Sequence, residues 1–263
     1  MSVAAAIGVD AGSTTCKAVA VDAAGRVLAR RVEPASPRVE EQAERMVAEL
    51  RAEVGPAAAL GATGYGRKRI RAGLALTEIT CHARGAFECM RRPGVLVDVG
   101  GQDTKVIRIG SAGEVVDFAM NDKCAAGTGR FLEVILGRLQ VPLGAVAEHV
   151  RSATRAVPVS STCTVFAESE VISLVSSGEP LEGIVKGLHQ ALASRVAALA
   201  RSAGPGTDVF MSGGVALNLA MVEALSQALA RPITVVPEPQ LVGALGAALS
   251  VMGASRGARP RAV

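Results

Sequence analysis

The sequence has no tryptophan, one tyrosine and five phenylalanines in 263 residues. So few rings argue against a surface that recognises single-stranded nucleic acid by stacking. Blocks of one charge sign are also missing: 28 Lys and Arg against 24 Asp and Glu leave a net charge of +4. The charges are interspersed, and the short basic clusters at 67–71 and 91–92 read as solvated surface. No apolar run is long enough to span a membrane. The longest uncharged stretch near the end, 239–255, carries four prolines and glycines and falls short of the roughly 20 residues a spanning helix needs. The N-terminal apolar run has no basic flank and stops at Asp10, too early for an export signal and its cleavage site. These absences predict no nucleic-acid partner, no membrane and a cytoplasmic location. Five cysteines, an odd number, do not suit a disulfide framework in such a chain and leave thiols for metal or redox work.

What is present is a globular composition, 49% hydrophobic with 29 glycines, and a length that predicts one large domain or two smaller ones. Sliding the chain by 88 residues sets DAGSTTCKAVAVDAAGRV (10–27) against DVGGQDTKVIRIGSAGEV (98–115) without a gap, with Asp10/Asp98, Gly12/Gly100 and Lys17/Lys105 among six identities. Each copy reads as an antiparallel meander whose first turn carries Asp-x-Gly. Glycines let backbone N–H groups approach an anion, and an Asp at a strand end can hold Mg²⁺ through water. Ser13, Thr14 and Thr15 add hydroxyls to the first copy, and Lys17 adds a cation. A third Gly pair follows an apolar strand at 208–211: SGGVALN (212–218) turns, and 215–229 reads as a helix with Leu217, Met221, Leu225 and Leu229 on one face.

In order, GVDAGSTTCKAV, VDVGGQDTKVI and FMSGGVALN resemble the first phosphate loop, second phosphate loop and adenosine loop of the acetate-kinase, sugar-kinase, Hsp70 and actin superfamily. The resemblance implies an α/β chain with the duplicated actin/Hsp70-like (ribonuclease H-like) ATPase fold, its two halves closing around MgATP. The division expected is 1–92 and 93–263, with the last helix, 242–252, packing back toward the first half.

Between the second and third loops lie NDKCAAGTGRFLEVI (121–135) and SSTCTVFAESEVISL (160–174). Apolar spacing predicts helices starting near 127 and 165, so Cys124 and Cys163 each lie at or just before a helix N-terminus, where the helix dipole favours thiolate. Plain core packing is the bland alternative for either thiol. Two thiolates do not complete a four-thiolate site. Either other cysteines of the chain contribute, or a two-fold dimer places two pairs around one centre. Cys16 lies in the first phosphate loop, and Cys81 and Cys89 fall on a helical segment with His82, which reads as structural; the dimer is favoured.

These cysteine motifs, with ATGYGR (62–67) and EITCHARGA (78–86), resemble ATP-dependent activators of 2-hydroxyacyl-CoA dehydratases, which are related to the ATPase subunits of benzoyl-CoA reductase. The resemblance implies one [4Fe-4S] cluster shared by Cys124 and Cys163 of two subunits in a homodimer. It also implies an electron from ferredoxin or flavodoxin, and ATP-driven transfer to a partner dehydratase that begins ketyl-radical dehydration. It assigns Asp10, Asp98 and Gln102 to Mg²⁺ and the attacking water. To the nucleotide it assigns Gly12, Ser13, Thr14, Thr15, Cys16, Lys17, Gly100, Gly101, Gly213, Gly214 and Gln240. Leu217 departs from a glutamine that relatives can carry there. The alternatives are an ATPase subunit of a benzoyl-CoA-reductase-like enzyme, a small-molecule kinase, and a nucleotide-gated chaperone or filament protein.

Overall fold

The computed structural model describes residues 4–56, 59–122, 124–160, 163–201 and 208–257. Two compact units form, one from 1–93, 109–116 and 236–263, the other from 94–108 and 117–235. Each unit is built on a five-stranded sheet. In the first, β1 (Ala6–Ala11), β2 (Thr15–Val21), β3 (Val27–Pro34), β4 (Ala59–Thr63) and β5 (Leu74–Ala75) lie in the order β3-β2-β1-β4-β5. In the second, β6 (Gly94–Val99), β7 (Thr104–Ile109), β8 (Val115–Asn121), β9 (Val209–Ser212) and β10 (Ile233–Val235) lie in the order β10-β9-β6-β7-β8. Read from opposite ends, the two orders are the same, so the internal repeat is a repeat of topology.

The central strands β1 and β6 are buried along their whole length. This explains their unbroken apolar character up to the aspartates, since a strand covered on both faces has no reason to alternate. Residues of β1 and β2 nevertheless divide between two layers. Ile7, Val9, Cys16 and Ala18 pack with Met46 and Leu50 of α1 (Val39–Val54), whereas Ala6, Val19 and Val21 pack with Ala244, Leu245 and Ala248 of α8 (Val242–Gly257). The second sheet shares a core with α3 (Gly129–Arg138), α6 (Leu181–Arg201) and α7 (Leu219–Leu229), centred on Phe131, Ile135, Leu188 and Leu192.

Helix α8 is made of small residues because it meets its neighbours backbone to backbone. A Cβ on Gly8 would overlap the Ala244 carbonyl oxygen, one on Gly85 of α2 (Glu78–Met90) that of Val242, and one on Gly246 that of Cys81. No helix of the described residues is long and apolar enough to cross a membrane.

Candidate functional site

Asp10 and Asp98 occupy the same place in the two halves, the fifth position of β1 and of β6, and are only 4% and 3% exposed. Carboxylates so buried must be paired or coordinated. Asp10 faces Lys17 Nζ at 3.4 Å. Asp98 faces Lys105 Nζ at 3.7 Å, and the same buried ammonium lies 2.6 Å from Asp103. Two carboxylates around one lysine leave a formal excess negative charge, with hard oxygen donors of the kind Mg²⁺ takes.

The first half contributes 10–17 and Gln240. Antiparallel pairing sets Asp10 opposite Lys17, so the turn between them carries the loop. A Cβ on Gly12 would lie 2.9 Å from the Thr15 carbonyl and 3.1 Å from Lys17 Nζ, which keeps this position to a residue without a side chain. Ser13 is exposed, and Thr15 opens β2. Thr14 Oγ1 is buried without a hydrogen-bond partner among the described residues. A phosphate oxygen would satisfy it, so this loop fits a nucleotide's phosphates. The Cys16 side chain takes another direction. Alternation along β2 turns its thiol away from Lys17 into the core beside α1, and burial, reinforced by Asp10, pushes that thiol up to about 11. Its backbone belongs to the loop; its side chain does not. Gln240, half-buried, stands two residues before α8. A Cβ on Gly243 in the first turn of that helix would lie 2.9 Å from Asp10 Oδ2 and 2.8 Å from the His82 ring, so the positive end of α8 approaches the Asp10 carboxylate. His82 is structural in part: its Nδ1 lies 2.9 Å from the Glu78 carbonyl.

The second half contributes Asp98, 100–102, 212–214 and both candidate metal-ligating thiols. Gly100 N–H donates to the Asp103 carbonyl at 2.9 Å, closing the turn on which Gln102 is exposed. Gly213 has φ +87° and Gly214 begins a 3-10 turn, Gly214–Leu217. The helix expected from 215 therefore starts later, at Leu219, because Asn218 caps it by accepting from Met221 N–H. Leu217 is left 59% exposed and off the apolar face.

Cys124 and Cys163 are both exposed. Cys124 stands before the 3-10 turn Ala125–Gly127, ahead of α3, and Cys163 before α5 (Thr164–Ser176). The Asn121 side chain brackets Cys124, accepting from its N–H at 3.2 Å and donating to its carbonyl at 3.0 Å. The segment after Cys124 is bonded to the second phosphate loop. Gly129 N–H donates to the Gly100 carbonyl at 2.8 Å, Arg130 N–H to that of Gly101 at 3.0 Å, and Thr128 Oγ1 also to that of Gly101 at 3.0 Å. Thr104 Oγ1 adds a 2.6 Å bond to the Gly127 carbonyl. Beneath this segment Arg195 of α6 lies over the Phe131 ring, 5.1 Å from its centre, and donates to the Ala126 carbonyl at 3.3 Å.

Two exposed thiols supply soft sulfur donors for half of a four-thiolate set. Among the described residues no three His, Cys, Asp or Glu side chains gather as a metal site. Cys81 faces the core of the other unit, where burial pushes its thiol up to about 11. The exposed sulfur donors among the described residues are thus Cys124 and Cys163, soft ligands of the kind an iron–sulfur cluster takes. Sequence reasoning used Lys105 only as a matching position and missed Ser212, Thr128 and Asp103. Thr128 was the most accessible of these, since it falls between the Cys124 motif and an apolar helix, where a cap is expected.

The BadF/BadG/BcrA/BcrD ATPase family model matches residues 7–251. The activator of lactoyl-CoA dehydratase from Anaerotignum propionicum is 49% identical over 189 residues, 72% of this chain and 73% of its own. The (R)-2-hydroxyglutaryl-CoA dehydratase activating ATPase from Acidaminococcus fermentans is 48% identical over 191 residues, 72% of this chain and 73% of its own. A solved structure, the activator of the 2-hydroxyisocaproyl-CoA dehydratase from Clostridium difficile with bound ADPNP, superposes with a TM-score of 0.88 at 36% identity, covering 98% of this chain and 99% of that one. The two sheets of like order are thus the duplicated actin/Hsp70-like α/β ATPase fold.

Proposed function

The chain belongs to the BadF/BadG/BcrA/BcrD ATPase family, and on that premise we propose that it is an ATP-hydrolysing activator of a 2-hydroxyacyl-CoA dehydratase, delivering a low-potential electron received from ferredoxin or flavodoxin. Two copies would hold one [4Fe-4S] cluster through Cys124 and Cys163 of each, and that group supplies one-electron chemistry at low potential when bound.

The observation that carries this reading is the set of hydrogen bonds joining Gly100 and Gly101 to residues 128–130, directly after Cys124. A phosphate-binding turn and a thiol-bearing segment that share backbone hydrogen bonds cannot shift independently. Nucleotide binding at 100–102 therefore reaches the Cys124 thiol through about a turn of helix, and differential affinity for ATP and ADP can select between two arrangements of that segment. In the first unit, Asp10 would offer oxygen to Mg²⁺ and Lys17 with the 12–15 turn would take phosphate oxygens; in the second, Asp98 would offer oxygen to Mg²⁺. Gln102, exposed on its loop, orients the attacking water, while Gly213 and Gly214 leave room for the adenosine and Gln240 contacts the nucleotide.

The test is anaerobic iron and sulfide analysis with EPR of the dithionite-reduced protein, on wild type and Cys124→Ser, beside ATP hydrolysis. The expected result is about four irons per dimer, lost in Cys124→Ser while Mg²⁺-dependent ATP hydrolysis persists. An iron-free wild type that resists reconstitution and phosphorylates a small hydroxyl compound would return the chain to the kinases.

A further inference from the structure

Thr63 and Ser212 are equivalent residues in the two halves. Parallel pairing sets Asp10 in register with Thr63 on β4, and Asp98 in register with Ser212 on β9. Each hydroxyl residue is followed by a glycine of positive φ, +91° at Gly64 and +87° at Gly213. A Cβ on Gly64 would meet the Ala11 carbonyl oxygen at 2.5 Å, and one on Gly213 would overlap that of Val99. Both turns therefore lie against the strand end that bears the aspartate, and only glycine permits the approach.

The two hydroxyls then act differently. Thr63 Oγ1 donates to the Leu76 carbonyl at 3.2 Å. Ser212 Oγ donates to Asp98 Oδ1 at 2.7 Å, and Ser212 is fully buried. The other oxygen, Oδ2, faces Lys105. A carboxylate held at both oxygens does not rotate about its Cβ–Cγ bond.

We propose that Ser212 is a positioning residue for the Mg²⁺-ATP site, fixing the rotation of the Asp98 carboxylate and tying it to the seating of the Gly213–Gly214 loop. Ser212 leads directly into that loop, so the side that receives the adenosine and the side that receives the metal move as one. With the loop seated, the Asp98 carboxylate is held in one rotation, the one in which it would serve Mg²⁺. Asp10, whose opposite hydroxyl is engaged by Leu76, carries no such tie through Thr63. This rests on the reading that the site hydrolyses Mg²⁺-ATP.

The experiment is the Mg²⁺ dependence of ATP hydrolysis at saturating ATP for wild type, Ser212→Ala, Ser212→Cys and Ser212→Thr, with metal-free ATP binding measured by calorimetry. Loss of one hydrogen bond to a charged group should raise the half-saturating Mg²⁺ of Ser212→Ala about ten-fold, with metal-free ATP affinity held within about two-fold. Ser212→Thr keeps the donor hydroxyl and should recover most of the loss. Ser212→Cys keeps the volume with a weaker donor and should fall between, which retains the test if the alanine variant does not fold. Wild-type Mg²⁺ dependence in Ser212→Ala or Ser212→Cys would overturn the proposal. A wild type without Mg²⁺-dependent ATP hydrolysis would instead overturn the function on which it rests.

Discussion

His189 is 1% exposed in the core of the second unit. Its Nδ1 lies 2.8 Å from the Val185 carbonyl and its Nε2 2.9 Å from the Asn218 side-chain amide. The neutral ring fits both partners, with Nδ1–H donating to the carbonyl and Nε2 accepting from the amide. Burial holds its pKa below the ordinary histidine value. A depressed folded value means the unfolded chain takes up the proton first as pH falls. The stabilisation is therefore complete above about 6.5 and is lost on acidification, at up to about 1.4 kcal/mol per pH unit. Urea unfolding between pH 7.5 and 5.5 should show this loss in wild type and a flatter profile in His189→Gln; parallel profiles would remove His189 from the acid sensitivity. At this scale the sequence singles out Asp10, Lys17 and Gly213 as candidates, because each stands in a local turn pattern. It was not legible for Ser212, whose partner Asp98 lies 114 positions away and is reached only through β6–β9 pairing.

Among the elements, α8 depends on glycine at its contacts. A Cβ on Gly246 would overlap the Cys81 carbonyl oxygen of α2, backbone that cannot turn aside as a flexible side chain would. Gly246→Ala should therefore destabilise the protein by roughly 2–4 kcal/mol. The helix-propensity gain of alanine does not offset this. Gly137, exposed in α3 with nothing within 4 Å of an added Cβ, is the control: Gly137→Ala should be neutral or stabilise by up to about 1 kcal/mol. Chemical denaturation of the two variants decides, and equal effects would mean that α8 yields at that contact. Periodicity predicted helices near the two cysteines well, since apolar residues every three or four positions select the helical period. It misplaced the start of α7, where the Gly214–Leu217 turn and the Asn218 cap intervene.

For the molecule as a whole, the informative surface is on α5. Of its thirteen residues only Ala167 and Val171 are buried, while Val165 and Phe166 are each 69% exposed directly after Cys163. Phe166 is one of the apolar residues whose spacing marks α5 as a helix. The structure leaves it outward, as expected of a helix that awaits a second protein surface. With a thiol pair that supplies half a ligand set, that surface is a second copy in the proposed function. Phe166→Asp should sediment as a monomer and retain little iron, while binding ATP as wild type does. A wild type that is monomeric with a full complement of iron would refute the shared centre.

The sequence alone determined the duplication, the three glycine loops, the two thiols and the family, because each depends on residue types at fixed local spacing. Tertiary structure decided what distant segments share: α8 packed on the first sheet through glycine, the Cys124 segment bonded to the second phosphate loop, Cys16 turned into the core, and Ser212 set against Asp98. Those arrangements come from strand pairing and close backbone approach between residues far apart in the chain, which leave no periodic trace in the order of amino acids.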